Sequence, residues 1–138
     1  MIYLDNAATT RISHEAFEAA LWVLHDDYGN PSSLHQAGVS AAKVVEKARS
    51  QIANYIGATP DEIVFTAGGS EADNLALRGM APYLKKIGKT TIITSMIEHH
   101  AVLHTCQALE KDGFKVIYMP VDQDGRVDIE ELDRVMQQ

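Results

Sequence analysis

Three short runs rich in β-branched and aromatic residues, EIVFTA at 62–67, TTIITS at 90–95 and FKVIYMPV at 114–121, alternate along this chain with stretches of a different period. The runs suit strands. The stretches between them, EADNLALRGMAPYL at 71–84 and HAVLHTCQALEKD at 100–112, carry apolar residues at helical spacing. Strands alternating with helices predict βαβ units, hence an α/β fold with a mainly parallel sheet. Residues 63–65 are the first expected strand, Gly68, Gly69 and Ser70 the turn at its C-terminal end, and a helix is expected from Glu71.

Ahead of these runs the period is helical. Phe17, Ala20, Leu21 and Leu24 stand at i, i+3, i+4 and i+7, one face of a helix that Ser13 can cap. YGNPSSLHQAG at 28–38 is a turn-rich loop, and a second helix is expected over residues 34–56. One side of it would hold Ala41, Val45, Ala48, Ile52 and Ile56, with Gly57 as its stop. TPDE at 59–62 has the residue types of a capping box with proline at the first helical position. DQDG at 122–125 is a turn, and residues 128–136 are a last helix presenting Ile129, Leu132, Val135 and Met136, with Asp128 and Glu131 in capping-box register.

The residue balance excludes several classes. A chain of 138 residues that is 46% hydrophobic suffices for one domain with a core, and no repeat, low-complexity tract or Pro/Ser-rich linker marks a boundary within it. A net charge of -7, without a run of five basic residues, argues against a nucleic-acid surface. MIYLDNAATT has neither the basic region nor the apolar run of a signal peptide or membrane span. The single cysteine, Cys106, cannot form an internal disulfide, which fits a reducing compartment, and the cytoplasm is expected.

In open α/β sheets ligands sit beyond the C-terminal ends of the strands. A helix start there offers unpaired N–H groups and a positive dipole end to a phosphate. Gly68 and Gly69 either permit a tight turn or let a ligand approach the backbone. Their spacing is neither G-x-G-x-x-G nor G-x-x-x-x-G-K-[ST]. From these residues alone, a plain strand-to-helix turn with Ser70 as N-cap stands beside the phosphate site. Glu98, His99 and His100 follow the second expected strand at the same sheet edge. His100 and His104, at i and i+4, are the better metal pair, yet no cysteine or carboxylate at helical spacing completes them, and no metal is expected. An imidazole beside a phosphate turn suits stacking on an aromatic cofactor; a solvated loop or a helix cap are the alternatives.

Four motifs now stand in order: YLDNAATT at 3–10, YGNPSSLHQAG at 28–38, IVFTAGGSEADNLAL at 63–77 and TSMIEHHAVL at 94–103. With them the chain resembles, over essentially its whole length, the N-terminal part of cysteine desulfurases, within the class V, fold type I family of pyridoxal phosphate enzymes. The family's SGATE turn corresponds to AGGSE at 67–71. The resemblance thus implies that the N–H groups of Gly69 and Ser70, with the Ser70 hydroxyl, hold the phosphate of pyridoxal 5'-phosphate. Ser70 in place of threonine keeps the hydroxyl, and Gly69 in place of alanine loosens the turn. Glu98-His99 matches the motif whose histidine stacks over the pyridine ring and moves protons. The resemblance therefore assigns His99, and not His100, as the catalytic and cofactor-binding ring.

The family also needs a Schiff-base lysine, an acidic partner for the pyridinium nitrogen and, in desulfurases, a sulfur-accepting cysteine. All three lie beyond the region matched here. None of Lys43, Lys47, Lys85, Lys86, Lys89, Lys111 and Lys115 sits in the lysine motif, and Cys106 occupies a helix face at core spacing. Residues 1–138 then correspond to the N-terminal segment and first part of the cofactor-binding large domain, and are not expected to be active alone. The implied parent activity converts L-cysteine to L-alanine with sulfur passed to an enzyme cysteine, for iron-sulfur cluster assembly. A selenocysteine lyase, an aminotransferase or a short non-catalytic binding or assembly module are the alternatives. The resemblance further implies a homodimer with active sites at the subunit interface and a sulfur-acceptor or scaffold protein as partner. Asn6, Thr9, Asn30 and Ser32 would lie near that interface, although their residue types alone mark ordinary turns.

Overall fold

The structure is a computed structural model that describes residues 2–137. In chain order it contains α1 (His14–His25), α2 (Gln36–Ile56), a 3-10 turn (Pro60–Glu62), α3 (Gly69–Lys86), β1 (Thr91–Ser95), α4 (His100–Lys111), β2 (Lys115–Met119) and α5 (Ile129–Met136). These elements divide between Val64 and Phe65 into two compact units.

In the first unit α1 starts as its sequence predicts: the Ser13 hydroxyl accepts from the Ala16 N–H at 3.2 Å. Its apolar face does not become a core face. No residue of α1 is buried, and Leu24 is 76% exposed. Helical spacing marks a stripe that some surface can cover, but it does not supply the cover. α2 begins later than expected, because His35 takes the cap position and its Nδ1 accepts from the Gly38 N–H at 3.3 Å. Ala41 and Ala53 are buried, whereas Ile52 and Ile56 remain exposed. Gly57 ends the helix in the left-handed conformation, φ 73°, which an L side chain rarely adopts.

The loop ahead of α2 is closed against the start of that helix. A Cβ on Gly29 would lie 2.1 Å from the Ala37 carbonyl oxygen, and one on Gly38 would lie 2.3 Å from that of Ser33. The Asn30 side chain accepts from the Ser32 N–H at 2.9 Å, and buried Asp27 accepts from the Ser40 hydroxyl at 3.1 Å. In the 3-10 turn the Glu62 carboxylate accepts from the Thr59 N–H at 2.8 Å and from its hydroxyl at 3.0 Å. Those bonds hold the Glu62 carboxyl below its usual range. Arg49 of α2 donates to the Ile63 carbonyl just beyond the turn.

Residues 63–66 form no strand, contrary to expectation. Ile63 is extended, φ -97° and ψ 122°, but the sheet of the described residues has two strands, β1 and β2. Extended backbone becomes a strand only where a neighbour offers a matching row of N–H and C=O groups. β1 and β2 pair in parallel, from Thr91 opposite Lys115 to Ser95 opposite Met119, with α4 as the crossover. This is the expected βαβ unit. Buried Ala81, Leu109 and Phe114 form its core, with Leu77, Leu84 and Ile92 packed against them. At the far end, Gly125 donates to the Asp122 carbonyl at 3.0 Å to close the expected turn. Asp128 caps α5 by accepting from the N–H groups of Glu130 and Glu131, while the Glu131 carboxylate pairs with Arg134 at 2.6 Å. Among the described residues no helix is long and apolar enough to cross a membrane.

Candidate functional site

The start of α3 differs from every other α-helix start among the described residues. Ser13, His35, His99 and Asp128 cap α1, α2, α4 and α5 with their side chains. At α3 the cap residue is Gly68, and no side chain takes that role. Ser70 is therefore a helical residue rather than the N-cap. The first intrahelical bond runs from the Ala72 N–H to the Gly68 carbonyl at 3.1 Å. The N–H groups of Gly69, Ser70 and Glu71 precede it and face out of the helix end. The loop is braced from behind: the Glu71 carboxylate turns back to the Ala67 N–H at 2.6 Å, and the Thr66 hydroxyl donates to the Gly68 carbonyl at 3.2 Å. Gly68 has φ 168° and ψ 177°, extended backbone open to any residue, so the turn does not itself require glycine. A Cβ on Gly68 or Gly69 would meet nothing within 4 Å. The space before the pair is open to a ligand.

The α4 start lines one cleft with Ser70. His99 is its N-cap, with Nδ1 accepting from the Ala101 N–H at 3.1 Å. That bond leaves the proton of the neutral ring on Nε2. His100, the first helical residue, stands edge-on to His99 with ring centroids 6.2 Å apart and planes at 82°, and lies 5.1 Å from the His104 ring. Among the described residues no group of three or more His, Cys, Asp or Glu is placed to hold a metal ion.

Ser70 and His99 line one cleft of about 340 Å³, together with Asn74, Arg78, His100, Ala101, His104 and Thr105. No carboxylate lines it, so the cleft carries the donors and positive charge that suit an anion. Gly69 stands one residue before Ser70 at the open helix end. Asn74, Arg78 and Thr105 carry roles that the motifs did not mark. For Asn74 and Arg78 the signal was helical spacing: with Ser70 they fall at i, i+4 and i+8 on one face. Cys106 is fully buried, as its core spacing predicted. Burial first, then the charges of Glu110 and Glu98, push its thiol up, which makes it a poor nucleophile.

The aminotransferase class-V family model matches residues 2–138, and the chain belongs to that family. Membership carries pyridoxal phosphate dependence at the level of the family, and the neighbouring structures are of fold type I. More particularly, the chain is 49% identical over 135 residues to putative cysteine desulfurase IscS 1 of Bacillus subtilis (strain 168), an alignment covering 98% of this chain and 35% of that protein. It is 48% identical over 135 residues to cysteine desulfurase IscS of Dictyoglomus turgidum (strain DSM 6724 / Z-1310), covering 98% and 34%. Among solved structures, a NifS-like protein superposes with a TM-score of 0.86 at 42% identity, over 94% of this chain and 35% of the other. SspA in complex with cysteine superposes with a TM-score of 0.85 at 38% identity, over 96% and 38%. The chain thus spans about a third of the length of the curated relatives it matches.

Proposed function

We propose that this chain supplies the phosphate turn and the stacking histidine of a pyridoxal phosphate-dependent cysteine desulfurase, which converts L-cysteine to L-alanine and passes the sulfur to an enzyme cysteine. The observation that carries the proposal is the α3 start, which has no side-chain cap, meets open space at Gly68 and Gly69, and borders a cleft lined by His99 and no carboxylate. The N–H groups of Gly69 and Ser70 and the Ser70 hydroxyl donate to the phosphate there, helped by the positive end of the helix dipole. The His99 ring is held by its bond to Ala101, so it offers a fixed face for stacking and a proton at Nε2 for transfer. When bound, the cofactor supplies an electron sink for charge developing at the substrate α-carbon.

The similarity to proteins named cysteine desulfurase, and to a protein solved with cysteine, supports L-cysteine as the substrate. Buried, protonated Cys106 is unsuited to accept sulfur, so we assign the sulfur-accepting cysteine, the Schiff-base lysine and the acidic partner of the pyridinium nitrogen to a longer protein than these 138 residues. We place that protein in the cytoplasm as a homodimer that hands sulfur to an acceptor or scaffold protein in iron-sulfur cluster assembly. In the full-length protein, Ser70→Ala should weaken pyridoxal phosphate binding by about 1–3 kcal/mol, the range of a charge-assisted hydrogen bond, and leave binding of pyridoxal, which lacks the phosphate, unchanged. Equilibrium dialysis with both ligands checks this. Unchanged pyridoxal phosphate affinity rejects the assignment.

A further inference from the structure

The hydrogen bonds behind the cleft converge on one side chain. Asn74 lies one turn after Ser70 on α3, half-buried, and its Nδ2 donates to the Ser70 carbonyl at 2.9 Å. Its Oδ1 accepts from the Thr105 hydroxyl at 2.8 Å and from Arg78 Nε at 3.2 Å. A reversed amide would set Oδ1 against the Ser70 carbonyl and the amino group against the Arg78 donor, so the partners fix the orientation. Thr105, on α4, is only 2% exposed, and its hydroxyl also lies 2.7 Å from the carbonyl of Ala101. Ala101 is the residue whose N–H is held by His99. Polar contacts thus run from Ser70 through Asn74 and Thr105 to the residue that orients the His99 ring.

Asparagine is a poor choice for a helix interior unless its amide is used. Here it is used on the peptide group that joins Ser70, which lines the cleft, to Glu71. The Ser70 carbonyl shares its peptide plane with the Glu71 N–H, one of the donors at the open helix end, so a donor on the carbonyl orients and polarises that N–H. The other end of Asn74 ties the same turn to α4. We infer that Asn74 is a positioning residue for the phosphate turn, setting the first turn of α3 against α4 so that Ser70 and His99 keep one geometry across the cleft. The inference rests on the roles proposed above for Ser70 and His99, and extends them to a residue that acts through others.

The test compares affinities for pyridoxal phosphate and for pyridoxal, with melting temperatures, in the full-length protein and its variants. Asn74→Asp keeps the size of the side chain and the acceptor for Arg78 and Thr105, but sets a carboxylate oxygen against the Ser70 carbonyl and adds a negative charge to the cleft, so Thr105→Val, which adds none, separates positioning from charge. Thr105→Val keeps the volume and removes the hydroxyl; Thr105→Ser keeps the hydroxyl. Asn74→Asp and Thr105→Val should each lower pyridoxal phosphate affinity about tenfold, the effect of about one hydrogen bond, with pyridoxal affinity within about twofold of the parent. Thr105→Ser should bind both ligands as the parent does. A role confined to stability would move the melting temperature and either both affinities together or neither, and that result overturns the inference. If Asn74→Asp does not fold, Thr105→Val alone decides. Ser70→Ala separates the two levels: if it leaves pyridoxal phosphate affinity unchanged, the phosphate assignment fails and takes the inference with it. If Ser70→Ala weakens binding while Asn74→Asp and Thr105→Val do not, the positioning role fails alone.

Discussion

Gly29 and Gly38 sit against their own chain, while Gly68 and Gly69 face open space. In the first pair a methyl group would come within 2.1 and 2.3 Å of backbone oxygens; in the second it would meet nothing within 4 Å. None of the four is among the glycines with left-handed backbone. The missing side chain, rather than the freer dihedrals, is what each pair contributes. One loop uses it to close on itself. The other leaves its approach clear, beside a helix start whose donors no side chain takes. Glycine that the protein does not fill is a place where something else can come close.

If that contrast is right, residues around the open loop govern ligand and turnover, and residues of the closed loop govern stability. The largest effect should come from His99→Asn, which can still cap α4 through its side-chain oxygen but loses the ring. Turnover of the full-length enzyme should fall by ~10²–10⁴-fold with an unchanged melting temperature, and His100→Ala should do little. Steady-state sulfide release checks both, and equal losses would break the assignment. Gly38→Ala comes next, with a loss of about 1–3 kcal/mol in urea unfolding and no change in cofactor affinity, because the added methyl meets backbone. Full stability in that variant would show that the loop is not closed as described. Removing a working cap by Asp128→Ala should cost about 1 kcal/mol in the same unfolding assay. Ser70→Ala, which removes no cap, should stay within about 0.5 kcal/mol. Gly69→Ala should instead give a small gain, about 0.5–1 kcal/mol in the unfolding assay, since alanine restricts the unfolded chain and meets no neighbour. Weaker cofactor binding in that variant would sharpen the contrast by showing that the ligand itself needs the space.

Local signals were legible where they depend on neighbours in sequence. Ser13 and Asp128 cap the helices they precede, Gly57 ends α2, and the alternation of runs gives the parallel pair and its crossover helix. The readings that changed depend on distant partners. Residues 63–65 have a strand's composition, but composition cannot supply the adjacent ladder, and they form no strand, although Ile63 is extended. The stripe on α1 has the right period, yet no residue of that helix is buried. At the site, Ser70 and His99 were marked by motif, and the structure places both on one cleft. Asn74 was not marked, because its partner Thr105 is 31 residues away and only the packing of α3 on α4 brings them together. The acid-free lining was equally hidden: Glu71 follows Ser70 directly, and only its bond to the Ala67 N–H turns it aside.

The two-stranded sheet has a kinetic consequence. Among the described residues β1 and β2 pair with each other, so each strand keeps an outer row of N–H and C=O groups. A parallel ribbon of this kind, with Ile92, Ile93, Val116 and Ile117 along it, is a template for any chain that presents a complementary row. As the polypeptide leaves the ribosome, the same segment of other nascent copies can occupy those rows, and that encounter grows with expression level. The yield of folded protein should therefore rise when synthesis is slowed or diluted, whether or not the cofactor is present.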